Sequence, residues 1–389
     1  MTPEKNGKIR VPITKLEVGD FVEEVTKQLG DVKVVQTGIV RNYFALQALK
    51  KKGVIEVLAD TNRSNKSDTI EQVSHSKSVK LERLIEASLH WQDRAHILLE
   101  ETLSRAKSHL PIDLFSLEKL VIDALELTKQ NKDALALIVR CKMANNLLIS
   151  HLVRVALSLA QFCHTQQYQA QASQNLVLAG LLSRLGYQLL PDNLRLPNEK
   201  LAAILQQKKQ HHITLLLKLL DLSGQPSPQV LRLLTEQNEL LDGSGYPNQL
   251  DIDKLNSAQR ILSIAIAFDG LMFGFDHSKS IGSTAAFREL MEHSPSHYDP
   301  DLLQAFIQAI GLYPAGTLVK LASGRIAMVI ENQSQLTKPR VKVFYNGDFN
   351  HHIAVRIINL AESDDRIEGS AKAQRYDLDI ADLVTEDDI

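Results

Sequence analysis

The string Asp242-Gly243-Ser244-Gly245-Tyr246-Pro247 constrains this chain more than any other six residues. Two glycines, a serine and a proline within six positions exclude a helix interior and a central strand. Pro228 to Leu241 before it and Leu255 to Gly274 after it read as apolar helices. The string is therefore an elbow between two helices, and such an elbow can hold Asp242 and Tyr246 at the mouth of a pocket. An ordinary helix-to-helix turn has the same composition, so the remainder of the chain has to decide between the two.

That remainder is dominated by helices. From Asp133 to Leu312 one apolar segment follows another: Asp133–Phe162, Ala170–Leu185, Asn198–Gln207, His211–Leu222, the two helices around the elbow, and Leu302–Ile310. Ser227-Pro228 and Asp299-Pro300 each place a capping side chain before a proline at the first helical position. Upstream, Val79–Leu110 is amphipathic and stops at Pro111, and Ser116 reads as the N-cap of a further helix. The apolar face of 79–110 is compatible with a homodimer or with packing on the same chain. Residues 8–60 differ: short strands near Lys8–Ile13, Asp20–Val25, Asp31–Val40 and Val54–Leu58, with a helix over Arg41–Lys52 closed by Gly53. After Gly316 the period falls to two. Thr317–Leu321 and Arg325–Ile330 flank Ser323-Gly324, and Arg340–Tyr345 and His352–Ile358 flank Asn346-Gly347. The expected fold is mainly α: a helical domain over 133–315, preceded by a small α/β module (8–60) and by a linker and connecting helices (61–132). A small β appendage (316–360) and an acidic tail (361–389), disordered at least in part, follow it.

Composition narrows the function. With 44% apolar residues in 389, a large core is available, and a net charge of −2 gives no general pull toward nucleic acid or acidic membranes. The two cysteines, Cys141 and Cys163, lie in apolar helical stretches, which fits a reducing compartment without disulfides. No segment reaches ~18 uninterrupted apolar residues; the richest, Ile261–Phe275, is broken by Asp269. A cytoplasmic protein without membrane insertion is expected. Histidines in a helical domain raise the question of a metal centre, for which His151, His164, His211, His212, Asp242 and Asp269 are the candidates. His151, between apolar neighbours, reads as a packed core residue, and His211-His212 as a solvated first turn. Residue chemistry alone does not establish a metal site.

Asn238-Glu239-Leu240-Leu241 and the elbow after it resemble the H-H-E-x-x-D-G-x-G-Y-P signature of HD-GYP domains, bacterial phosphodiesterases of cyclic di-GMP. Ala179 to Tyr187 resembles the segment that usually reads L-L-H-D-I-G-K. Arg260 to Asp269 resembles the A-R-I-x-x-I-A-D-x-Y-D-A-L helix, and His151 the first histidine. Residues 8–60 look like the small domain that often precedes HD-GYP domains. The resemblance implies an HD-domain-like bundle. It also marks what has changed. The metal-binding His-Asp pair is Ser183 and Arg184, the paired histidines are Gln237 and Asn238, the later metal aspartate is Ile266, and a lysine is Tyr187. His151, His212, Glu239, Asp242, Gly243, Ser244, Gly245, Tyr246, Pro247 and Asp269 remain, and Lys279 is placed near a substrate-binding lysine. The expectation is a catalytically inactive member without a metal cofactor. It would act through protein partners in cyclic di-GMP signalling; the alternatives are a cyclic di-GMP sensor that does not hydrolyse and a residual metal-dependent phosphodiesterase. Arg184 is expected to pair with Glu239, Asp242 or Asp269, or else to reach solvent.

Overall fold

A computed structural model describes residues 8–13, 16, 20–29, 37–40, 49, 52–60, 71–141, 146–195, 203–275 and 279–376. The chain forms two compact units that divide between Ile85 and Glu86. In the first, β1 (Lys8–Pro12), β2 (Phe21–Gln28), β3 (Gly38–Ile39) and β4 (Val54–Asp60) make an antiparallel sheet in the order β1-β4-β2-β3. Its core is mostly valine, including Val11, Val22, Val54 and Val57, as suits side chains that pack on a pleated surface. The helix expected over Arg41–Lys52 and most of the strand expected over Asp31–Val40 lie outside the described residues.

The second unit begins within α1 (Glu71–Lys107) and continues through α2 (Leu114–Gln130), α3 (Ala134–Cys141), α4 (Leu147–Thr165) and α5 (Ala170–Leu182). Two 3-10 turns follow, Leu185–Leu189 and Asp192–Leu194; then come α6 (Ala203–Lys209), α7 (His212–Leu222), α8 (Pro228–Glu236), α9 (Ser257–Phe273), α10 (Ser283–Glu292) and α11 (Pro300–Ile310). Helix α4 is the centre, packing on α2, α3, α5, α9 and α11. It is long and apolar enough to cross a membrane by length and composition, but 89% of that stretch is buried inside the fold. Ser227 and Asp299 cap α8 and α11 as their sequence signals require. Other boundaries moved. Asp113, not Ser116, caps α2, and it accepts the Ser116 amide. The single helix expected over Asp133–Phe162 is two, α3 and α4, with Asn146 capping the second. α10 had no clear signal, and α8 stops at Glu236, short of Leu241.

At the C-terminal end, β5 (Leu318–Leu321), β6 (Arg325–Glu331), β7 (Arg340–Asn346), β8 (His351–Asn359) and β9 (Ile367–Ser370) form an antiparallel sheet ordered β8-β7-β6-β5-β9. Val319, Ala327, Val329, Val341 and Val343 fill its core. β9 corrects the expectation of a disordered segment from 361: it pairs with β5, and Asp365 accepts from Ser323 and Arg325. Acidic residues there are ordered because they have partners. Residues 377–389 lie outside the described chain. Asp133 ties sheet to bundle, accepting from Gln161 Nε2 on α4 and from the Asn332 amide just after β6, each at 2.9 Å.

Candidate functional site

The elbow is built by its own polar groups. Leaving α8, the chain bridges Asn238 to Tyr246 and Asp242 to Asp251. Gly243 has φ +76°, a left-handed conformation that glycine adopts without penalty. A Cβ on Gly245 would collide with the backbone of Glu239 and Leu240. Buried Glu239 accepts the amides of Asn248 (2.6 Å) and Leu250 (2.9 Å). Asp242 is exposed, and its Oδ1 accepts the amide and hydroxyl of Ser244; these hydrogen bonds hold its carboxyl below the usual range. Both carboxylates are therefore committed to shaping the loop.

Behind the elbow lies a cavity of about 420 Å³, lined from α4, α9, the Arg184–Tyr187 turn and the elbow itself. On its deep side His151 Nδ1 is 2.7 Å from Asp269 Oδ2. Arg154, one turn along α4, grips the same carboxylate through Nε at 2.7 Å and Nη2 at 3.0 Å. Burial alone would raise the Asp269 pKa, but the Arg154 guanidinium and then His151 outweigh it and hold the carboxyl below its ordinary value. Burial pushes His151 down, against the pull of Asp269, so the imidazole is neutral. The nitrogen on the other side, Nε2, is buried and has no hydrogen-bond partner among the described residues.

Aromatic rings occupy the middle of the site. Phe275 stacks on His151 with centroids 4.1 Å apart, and Tyr187 lies 5.8 Å beyond Phe275. Arg184 and Lys209 sit over the Tyr187 ring at 5.5 and 5.2 Å. His212, edge-on to the same ring, is fully buried, contrary to the solvated first turn expected of it. Its pKa is pushed well down, by burial first and then by Arg184 and Lys209. Arg184 Nη1 donates to Gln237 Oε1 at 3.3 Å. The carboxylate-to-arginine pairing expected of Arg184 belongs to Arg154, which stands three residues after His151 and hence on the same helical face. That spacing was legible; the depth of burial that makes the pair matter was not. Lys279 is exposed and outside the cavity lining, and Lys209 stands there instead. His293 and His297, a His-x-x-x-His pair not among the expected ligands, stack at 5.2 Å beside Asp242, outside the cavity wall.

The residues present do not fit a catalytic metal cluster. Ser183 turns its hydroxyl onto the Gly180 carbonyl, the Gln237 amide oxygen accepts from Arg184, and Ile266 offers no lone pair. Asp269 is already neutralised by Arg154. Arg184 adds a permanent positive charge, and at an effective dielectric of about 20 and about 4 Å a like unit charge costs on the order of 4 kcal/mol, twice that against a divalent ion. Among the described residues, no three His, Cys, Asp or Glu side chains converge to hold an ion.

Residues 134–302 match the family model of the HD domain. That stretch of the chain is an HD domain. Its elbow carries the Gly-Tyr-Pro of the HD-GYP branch, and the relatives agree with that branch. Over 394 aligned residues the chain is 26% identical to the cyclic di-GMP phosphodiesterase PA4108 of Pseudomonas aeruginosa, covering 94% of this chain and 93% of that one. It is 25% identical to the cyclic di-GMP phosphodiesterase PdeB of Borreliella burgdorferi over 49% of this chain and 50% of that protein. With the 3'3'-cGAMP-specific phosphodiesterase 2 of Vibrio cholerae it shares 27% identity over 41% of this chain and 31% of the relative.

Proposed function

We propose that this HD-GYP protein is a non-hydrolysing regulator in cyclic di-GMP signalling, whose cavity takes the cyclic dinucleotide and whose output passes through protein contacts. One observation carries the reading: among the described residues the cavity wall holds two cations, Arg184 and Lys209, and no carboxylate. A metal-dependent phosphodiesterase site needs an anionic or imidazole donor set; a cationic wall beside Tyr187 and Tyr246 suits the ligand's own phosphates and bases. The relatives' substrates, cyclic di-GMP and 3'3'-cGAMP, are anionic and aromatic. Strand β8 favours output by protein contact. It is a nine-residue sheet edge, and Val355, Ile357 and nearby Phe349 are exposed. The test is calorimetry of the full chain with cyclic di-GMP, alongside metal analysis and product chromatography after incubation with Mn²⁺ or Fe²⁺. Saturable binding without product is expected, with R184A weakening it about tenfold. Turnover with stoichiometric bound metal would overturn the proposal.

A further inference from the structure

Of the buried polar atoms near the cavity without a hydrogen-bond partner among the described residues, His151 Nε2 belongs to a residue that lines it. His151 is completely buried, and its two ring nitrogens have different fates. Nδ1 meets Asp269 Oδ2 at 2.7 Å. An ionised carboxylate only accepts, and bidentate Arg154 keeps Asp269 ionised, so Nδ1 carries the hydrogen. In the neutral ring the opposite nitrogen is then a bare lone pair. It finds no donor among the described residues, although buried acceptors are nearly always satisfied. The arrangement is that of a ligand-binding histidine: one nitrogen is fixed by a carboxylate so that the other presents its lone pair.

We propose that His151 Nε2 accepts a hydrogen bond from an N–H or O–H group of a ribonucleotide phosphodiester bound in the cavity. This rests on the cavity's being a nucleotide site, as proposed above. The ligand chemistry follows from what surrounds the atom. Arg184 and Lys209 supply charge for a phosphate, and Tyr187 and Tyr246 supply rings for a base. Neither recognises a donor; Nε2 does. A guanine ring amide, its exocyclic amine or a ribose 2′-hydroxyl can fill that position, whereas an anion without an N–H or O–H, such as sulfate, cannot. Phe275 stacks on the imidazole face at 4.1 Å, which leaves the in-plane lone pair of Nε2 uncovered by that ring. Phe275 is only half-buried and lines the cavity beside His151.

The experiment uses the full chain, cyclic di-GMP as the probe and two readouts. Two-bond proton–nitrogen spectra at neutral pH resolve bare from protonated imidazole nitrogens. His151 is expected to show one bare nitrogen in the free protein, which moves toward the hydrogen-bonded position as ligand saturates. By calorimetry, H151F is expected to bind about tenfold more weakly, one hydrogen bond's worth. A protonated Nε2 in the free protein overturns the proposal, as does a bare nitrogen that stays unmoved while calorimetry reports binding. A bare nitrogen with no binding at all overturns the nucleotide site itself, and this proposal with it.

Discussion

Asp269 is the residue on which the interior of the helical domain depends. It is a carboxylate with almost no exposure, and it stays ionised because Arg154 and His151 surround it. Removing one partner of such a group is far more damaging than the pair's net worth, because the other charge is left buried. R154A is therefore expected to cost about 3–5 kcal/mol in urea unfolding. The double variant R154M/D269N is expected to recover much of that loss, since it removes both charges. A single-variant cost under about 1 kcal/mol would mean that water reaches the carboxylate. His151 and Arg154 also differ in legibility. The histidine draws notice as a leftover of the family pattern, whereas Arg154 shows in the sequence only that it shares the His151 face of the helix; its burial against Asp269 is what makes it the cation of the site.

The elbow shows the same division for a whole element. Its glycines and proline ruled out regular structure from the sequence alone, but both carboxylates were expected to face a pocket. Glu239 instead anchors two amides of its own loop, and Asp242 folds onto Ser244. A carboxylate cannot be assigned to a pocket or to a turn by type, since it suits both; only the path of the backbone distinguishes them. The loop is expected to respond to two substitutions. G245A forces a Cβ onto immovable backbone and should destabilise the protein by about 2 kcal/mol or more. E239A strands the Asn248 and Leu250 amides, at about 1–3 kcal/mol. Circular dichroism melts measure both, and E239A should also raise amide exchange at Leu250. β9 teaches the converse at the other end of the chain: an acidic composition suggested disorder, and pairing with β5 overrode it.

For the molecule as a whole, two buried neutral histidines set a pH dependence. The folded-state pKa values of His151 and His212 are depressed, so the unfolded chain takes up protons that the folded chain refuses. Their contribution is complete above the unfolded value of about 6.5 and is lost as pH falls below it. The unfolding free energy should drop by up to about 1.4 kcal/mol per pH unit for each histidine. Asp269, also depressed, adds its loss only below the ordinary carboxylate range near pH 4. Urea midpoints between pH 8 and pH 5 measure the slope, and H212L should remove about one proton's share of it. A slope unchanged in H212L would show that this ring is already protonated in the fold.

The succession of helices, the change of period after Gly316 and the elbow were fixed by local patterns: apolar spacing, caps, and the few residues that can turn. These follow from covalent geometry and side-chain periodicity, which a sequence displays directly. So was the fact that Ile266 and Arg184 cannot be metal ligands in any fold. Tertiary structure decided what surrounds them. Arg154 rather than Arg184 holds Asp269, His212 is buried rather than solvated, and Phe275 and Tyr187 stack beside His151. These depend on which residues, distant in the chain, share a dry interior, and burial is what converts a histidine or a carboxylate from a surface group into one whose partners determine its charge.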